Sequence, residues 1–285
     1  MVYEHEIPKG ARLYFGDSAK LKREIEIKAS KIFYEYGYEE IITPLFSYHQ
    51  HFSIEDKKEL IRINDEQNRD ITLRADSTID VVRIVTKRLG RSTTHKKWFY
   101  IQPVFRFPTF EYYQIGAELL GDFRVKEALK IVLKILNELK LEPLLQISNI
   151  KIAKILHKEY NISLEVLRSV NIEYLLKDSN EWIKKLLYLK SPSQIDEVIE
   201  VVPKNIKEEL LKIKELSDFV DYKNIIVAPL YYAKMRYYED LFFKFTHKNA
   251  TICMGGEYKA NMHAAAGFAL YTDNLIEILE DKGFE

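Results

Sequence analysis

The chain has 285 residues, with 43 Lys plus Arg against 43 Asp plus Glu, 47% hydrophobic residues and a single cysteine, Cys253. At roughly 150 residues per domain that length suggests two domains or one large one, and a formal net charge of zero argues against bulk polyanion binding. One cysteine excludes an intramolecular disulfide framework and a Cys-rich zinc site, which suits a reducing cytoplasm. No apolar run approaches the roughly 18 residues of a bilayer span, and the opening MVYEHEIPKG has no signal-peptide h-region, so no membrane role is expected.

Apolar residues at helical spacing (Leu21, Ile25, Ile32, Tyr36) predict a first helix over 17–36, capped at Asp17 or Ser18 and stopped by Gly37. Residues 38–44 read as a short strand ended by Pro44. Residues 60–64 and 70–76 read as paired strands, and 77–90 as a helix carrying Ile79, Val82, Val85 and Leu89 on one stripe. The alternation of 98–106 and 110–120 around Phe107-Pro108-Thr109 predicts a hairpin. Its second strand places Tyr112, Gln114, Gly116 and Glu118 on one face, and the glycine leaves room for something to lie on the strand. A second long helix, including Phe123, is predicted over 122–139, with a strand after Pro143. Residues 150–220 turn to Lys, Glu, Leu and Ile, broken at Ser191-Pro192 and Pro203, and read as a small helical insertion with a solvated charged face. Strands follow at 225–229 and 241–245, a turn or close backbone approach at Met254-Gly255-Gly256, and a strand running into a final helix over 268–279.

Single residues carry little chemistry. His49 and His51 lack carboxylate or thiol co-ligands at a recognisable spacing, so a surface or packing role is the simpler account and no metal is expected. Cys253 lies in an apolar stretch, where a buried inert thiol is ordinary. Gly255-Gly256 has no phosphate-loop context.

The order of the pieces says more. Gly37 to Pro44 resembles motif 1 of the class II aminoacyl-tRNA synthetases, their helix-and-strand dimerisation element. Pro8-Lys9-Gly10 with Tyr14-Phe15-Gly16 resembles the amino-terminal signature of histidyl-tRNA synthetases, and Leu73 to Thr78 is similar to their LRPEGT-type loop. Phe105-Arg106 followed by Gln114-Ile115-Gly116-Ala117-Glu118 resembles motif 2 with its QxGxE strand. Tyr237-Tyr238, Gly255-Gly256-Glu257-Tyr258 and Gly267-Phe268-Ala269-Leu270 resemble the two histidine-specific segments and motif 3. The resemblance implies an α+β fold, a class II antiparallel sheet flanked by helices. Its core would comprise residues 1–149 and 221–285, with the helical insertion at 150–220.

The departures from that pattern imply lost chemistry. Asn274 stands where motif 3 has the ATP-clamping arginine, Tyr271 where it has glycine, and Ala233 where the RGLDYY segment has arginine. Arg236 and Glu257 reverse charges of the two histidine segments, and the motif 2 loop is cut to 107–110. One preorganised donor to developing phosphate charge contributes roughly 3–4 kcal/mol, so losing two arginines costs on the order of four to six decades of rate. No catalytic residue and no cofactor are expected. By resemblance, Asp76, Thr78 and Gln114 would face the α-amino group of a histidine, while Glu118 and Tyr238, beside Tyr237, would face the imidazole. Arg106 completes the candidate ligand site. A synthetase-like core without competent catalytic residues resembles the regulatory subunits of ATP phosphoribosyltransferase. The partners so implied are a short-form catalytic subunit, a second copy of the chain, and free histidine as feedback ligand, with no role for nucleic acid. A divergent histidyl-tRNA synthetase-like ligase and an orphan binding module stay open as alternatives.

Overall fold

Helix α1 (Gly16–Glu35) of the computed structural model buries Leu21, Ile25, Ala29, Ile32 and Phe33 on one face, the stripe that the spacing predicts. The described residues are 3–50, 54, 56–121, 124–169, 171–177, 180–233, 235, 237–260 and 263–282, so His51, Phe123, Lys234 and Arg236 lie outside them. The cap falls earlier than expected: Phe15 is the N-cap, and its N–H donates to Ser18 Oγ at 3.3 Å. Gly37 follows the helix at φ +75°, the left-handed region open to glycine.

The chain divides into two compact units, one holding 1–121, 260–263 and 267–285, the other 122–259 and 264–266. In the first, the expected strand over 38–44 contracts to β1 (Glu39–Glu40), which runs parallel to β5 (Lys97–Arg106). Ile41 still donates to Phe99 O at 2.8 Å, but residues 41–44 have no regular structure. Strands β2 (Phe46–Ser47), β3 (Arg62–Asn64) and β4 (Asp70–Leu73) make a small antiparallel sheet in the order β2-β4-β3. Helix α2 (Ser77–Arg83) continues as a π-helical stretch to Arg88.

The hairpin appears as predicted. β5 pairs antiparallel with β6 (Phe110–Leu120), from Arg106 opposite Phe110 to Lys97 opposite Leu119. The order in this unit is β1-β5-β6-β11, with β11 spanning His263–Tyr271 and leading into α10 (Thr272–Asp281). Phe33 stacks on Phe99 at 4.8 Å and on Phe268 at 6.0 Å between ring centroids, which joins helix to sheet at the core.

Arg74, between β4 and α2, is buried, and the charge of Asp80 favours its cationic form. Its Nε donates to Pro103 O at 2.9 Å, and its Nη1 donates to Thr43 O at 2.8 Å, Thr43 Oγ1 at 3.1 Å and Pro44 O at 3.3 Å. Burial lowers this guanidinium to about 10.

The second unit begins with α3 (Val125–Glu138) and β7 (Leu144–Asn149). Helices α4 (Ile150–Tyr160), α5 (Leu164–Arg168), α6 (Ile172–Lys177), α7 (Glu181–Tyr188), α8 (Ile195–Val198) and α9 (Lys204–Phe219) follow. β8 (Ile225–Val227), β9 (Tyr238–His247) and β10 (Ala250–Ala260) complete it, in the order β10-β9-β7-β8. β8 pairs parallel with β7, and the other two pairings are antiparallel. Met254-Gly255-Gly256, read as a turn or close approach, lies inside β10 at a bulge. A Cβ on Gly256 would stand 2.5 Å from Leu241 O, so glycine is needed for the close approach of backbones. Leu129, Ile131, Val132, Phe242, Phe243 and Phe245 supply a core with no exposed surface.

Candidate functional site

Strand β6 brings Gln114, Gly116 and Glu118 to one face, and β5 sets Gln102, Tyr100 and Trp98 opposite them. The room left by Gly116 is filled from within: a Cβ there would stand 2.3 Å from the Tyr100 ring, which lies over the glycine. Tyr100 Oη donates to Glu118 Oε1 at 3.3 Å, and Glu118 has no exposed surface. Its other oxygen crosses the bare backbone of Gly267 on β11, where a Cβ would come within 1.8 Å of Oε2. Two glycines on neighbouring strands therefore hold one carboxylate inside the sheet face.

The start of α2 approaches the same face. Gln102 Nε2 donates to Ser77 Oγ at 3.0 Å. Asp76 caps the helix, accepting from Ile79 N–H at 3.2 Å. Gln50 holds the loop from behind: its Oε1 accepts from the N–H groups of Ala75 and Asp76, and its Nε2 donates to Asp76 O and to Asp80. Asp76, Thr78 and Gln114 are all buried. Asp76 thus has a structural duty that the expectation of a free amino-group ligand did not include.

Arg106 closes β5. Its Nε lies 3.6 Å from a Glu59 oxygen, while its Nη1 is buried without a hydrogen-bond partner. A buried guanidinium N–H without an acceptor costs free energy until an anion meets it, so this nitrogen marks a place for a carboxylate or phosphate oxygen. Asp76, Thr78, Arg106, Gln114 and Glu118 all belong to the first unit.

Tyr237 and Tyr238 belong to the second. Their rings lie 4.9 Å apart, Tyr238 packs on Phe242 at 4.8 Å, and Tyr237 meets Tyr258 at 5.4 Å. Glu257, the reversed charge of the second histidine segment, is buried on β10 in this unit. Burial, then the charge of Asp240, raises its carboxyl to about 7, against the opposing pull of the Leu241 and Val125 N–H groups and Lys212.

Sequence reading missed what replaces the motif 3 chemistry. Asp273, in the first turn of α10, is buried and accepts from Tyr14 Oη and from Tyr113 N–H at 2.8 Å, with Arg12 Nε 3.7 Å away. Burial and the Asp273 hydrogen bond push the Tyr14 phenol well above its ordinary range. An acidic residue in a first helical turn is the local signal, but its partners come from the far end of the sequence. Ala233 is buried, and Tyr271 and Asn274 are half-buried.

A groove of about 420 Å³ in the first unit runs between α1 and β5, lined by Arg23, Ile27, Tyr34, Glu40, Ile101 and Pro103 among others. Ile27, Tyr34, Ile42, Leu45, Phe46 and Tyr48 are exposed, Ile42 by 80%. Ile25, Ile32, Phe33 and Ile41 of the same stretch are core residues. Among the described residues there is no cluster able to hold a metal ion, and no helix is long and apolar enough to cross a membrane.

Residues 14–275 match the histidyl-tRNA synthetase family model. An ATP phosphoribosyltransferase regulatory subunit of Wolinella succinogenes is 47% identical over 97% of this chain and 96% of its own length. Its counterpart from Helicobacter hepaticus is 43% identical over 98% and 99%. A crystal structure from Bacillus halodurans, described as an ATP phosphoribosyltransferase regulatory subunit/histidyl-tRNA synthetase, superposes with a TM-score of 0.85 at 21% identity, covering 98% of this chain and 84% of that one.

Proposed function

Because the chain belongs to the ATP phosphoribosyltransferase regulatory subunits, built on the histidyl-tRNA synthetase fold, we propose that it activates a short-form catalytic subunit of that enzyme and carries histidine feedback to it. The observation that carries this reading is the 47% identity over 97% of the chain to a protein of that name. The site chemistry agrees with it. Asn274 and Ala233 offer no cationic group to a nucleotide phosphate, and Asp273 is committed to Tyr14 and Tyr113.

The protein acts by assembly in the cytoplasm, as a homodimer that docks the catalytic subunit. The exposed apolar side chains between Ile27 and Tyr48 are the surface we assign to self-association. Residues 150–220 are assigned as a helical insertion in the synthetase-like core. Free histidine is the ligand we assign to Asp76, Thr78, Arg106, Gln114 and Glu118 of the first unit. Carboxylates and amide oxygens accept from ammonium and imidazole N–H groups, and the open Nη1 of Arg106 suits a carboxylate.

The test is light scattering of the protein alone and mixed with its own organism's short-form enzyme, with activity followed in parallel. A dimer alone, a larger complex on mixing, and a rate that rises on mixing and falls with histidine are expected. A protein that neither co-elutes with the enzyme nor changes its rate refutes the assignment.

A further inference from the structure

We propose that Arg74 is a positioning residue for the self-association surface, clamping the Thr43–Leu45 backbone so that Ile42, Leu45 and Phe46 are held in one binding-ready conformation. The proposal rests on the homodimer reading above.

The segment needs such a clamp. After Ile41 the chain leaves the β1–β5 ladder, and residues 42–44 have no regular structure, yet among the described residues this is where the most exposed large apolar side chain, Ile42, is carried. An irregular segment that must present apolar groups loses binding free energy to its own ordering, unless something orders it beforehand.

Arg74 supplies that order from three directions. Its N–H donates to Leu45 O at 2.7 Å, and its Nη1 reaches Thr43 O, Thr43 Oγ1 and Pro44 O. Its Nε holds Pro103 O on β5, and its own carbonyl accepts from Phe105 N–H at 2.7 Å. Gln102 of β5 grips the same threonine, accepting from Thr43 N–H at 3.2 Å and donating to its hydroxyl at 3.1 Å. The guanidinium therefore ties the irregular segment to the rigid hairpin.

Stability alone is a poor account of this residue. A cation this deeply buried carries a large desolvation cost, which the charge of Asp80 offsets only in part, since the guanidinium is still pulled below its ordinary range; an apolar side chain of similar volume is often as stable in such a place. What the planar fork offers is geometry: donors fixed in a plane reach two backbone segments at once, which a lysine ammonium on a flexible stem does not reproduce.

The experiment measures the dimer dissociation constant of the full-length protein by analytical ultracentrifugation across a dilution series. It compares wild type with Arg74→Lys, Arg74→Met and the milder Thr43→Val. Amide exchange of residues 41–46 is followed in parallel, and Ile213→Ala in α9, which has no exposed surface, serves as a core-destabilised control. Arg74→Lys and Arg74→Met are expected to raise the dissociation constant at least tenfold and to speed exchange across 41–46. Thr43→Val should raise the constant several-fold, and the control should leave it unchanged. Thr43→Val decides the matter if neither Arg74 variant folds. A dimeric wild type whose folded variants all stay within twofold, or whose loss of affinity is matched by Ile213→Ala, overturns this proposal alone. A monomeric wild type overturns the homodimer reading and this proposal with it.

Discussion

Replacing Glu257 with glutamine should make the protein more stable at neutral and alkaline pH while leaving it unchanged in mild acid. The carboxyl is 8% exposed and stands near Asp240, whose Oδ1 is buried without a partner, and its pKa is raised from 4.5 to about 7. The unfolded chain loses this proton near 4.5 and the folded protein keeps it to about 7, so the protonated group favours the fold fully below 4.5 and that advantage is lost as the pH rises through 7. At about 1.4 kcal/mol per unit, the difference between pH 5 and pH 8 amounts to about 3 kcal/mol in a dry site and about 2 kcal/mol with solvent screening. Glutamine keeps an oxygen for the Leu241 and Val125 N–H groups without carrying the charge. Urea unfolding at pH 5, 6, 7 and 8, with the variant measured beside wild type, isolates the term because every other titrating group cancels in the difference. Parallel stability profiles for the two proteins refute the reasoning. Asp240→Asn should flatten part of the same slope, since it removes the second carboxylate from Glu257's surroundings.

Gly267→Ala should destabilise the protein by about 2–4 kcal/mol, because the new methyl would meet the buried Glu118 oxygen and displace it from Tyr100, and thermal unfolding checks this. Asp76→Ala should lose about 1 kcal/mol with the helix cap, whereas Asp76→Asn keeps the cap and loses only the charge; a histidine-induced thermal shift retained in Asp76→Asn would show that this carboxylate does not hold the ligand's amino group. Histidine-dependent pyrophosphate exchange should be absent, and restoring arginine at positions 233 and 274 should not create it while Tyr271 keeps its place; turnover within tenfold of an ordinary synthetase would refute the regulatory assignment.

The hairpin is legible because apolar and polar residue types alternate over 98–106 and 110–120, although residues 114–120 are buried on both faces. Even the filling of the Gly116 site follows from it, since a turn at 107–109 fixes Tyr100 opposite the glycine. Local patterning gives α1 for the same reason, but not its cap: Phe15 carries no capping side chain, and only the Ser18 hydroxyl reaching back marks the start. Residues 254–256 read as a turn or a close backbone approach, and Gly256 serves the second, since its bare backbone lets Leu241 come near. The Asp273 hub shows in the sequence only as an acidic residue in a first helical turn. Its ties to Tyr14 and Tyr113 span most of the chain, and no spacing rule connects them.

The long excursion between β7 and β9 has a consequence for the order in which the second unit forms. Leu145 ends up beside Phe245, about a hundred positions on, while Arg106 and Phe110 of the hairpin need only a tight turn. Closing the longer loop costs roughly 3 kcal/mol more in chain entropy. β8 divides that cost: once Ile225 lies parallel against Leu145, only about twenty positions remain before Phe245 can dock. The hairpin 97–120, the β9–β10 hairpin closed at residues 248–249 and helices α4–α9 are therefore the early, local products of folding, and the docking of β9 on β7 is the late step. Until it docks, Phe242, Phe243 and Phe245 stay in water, which makes this strand the place where a newly made chain is most exposed to aggregation.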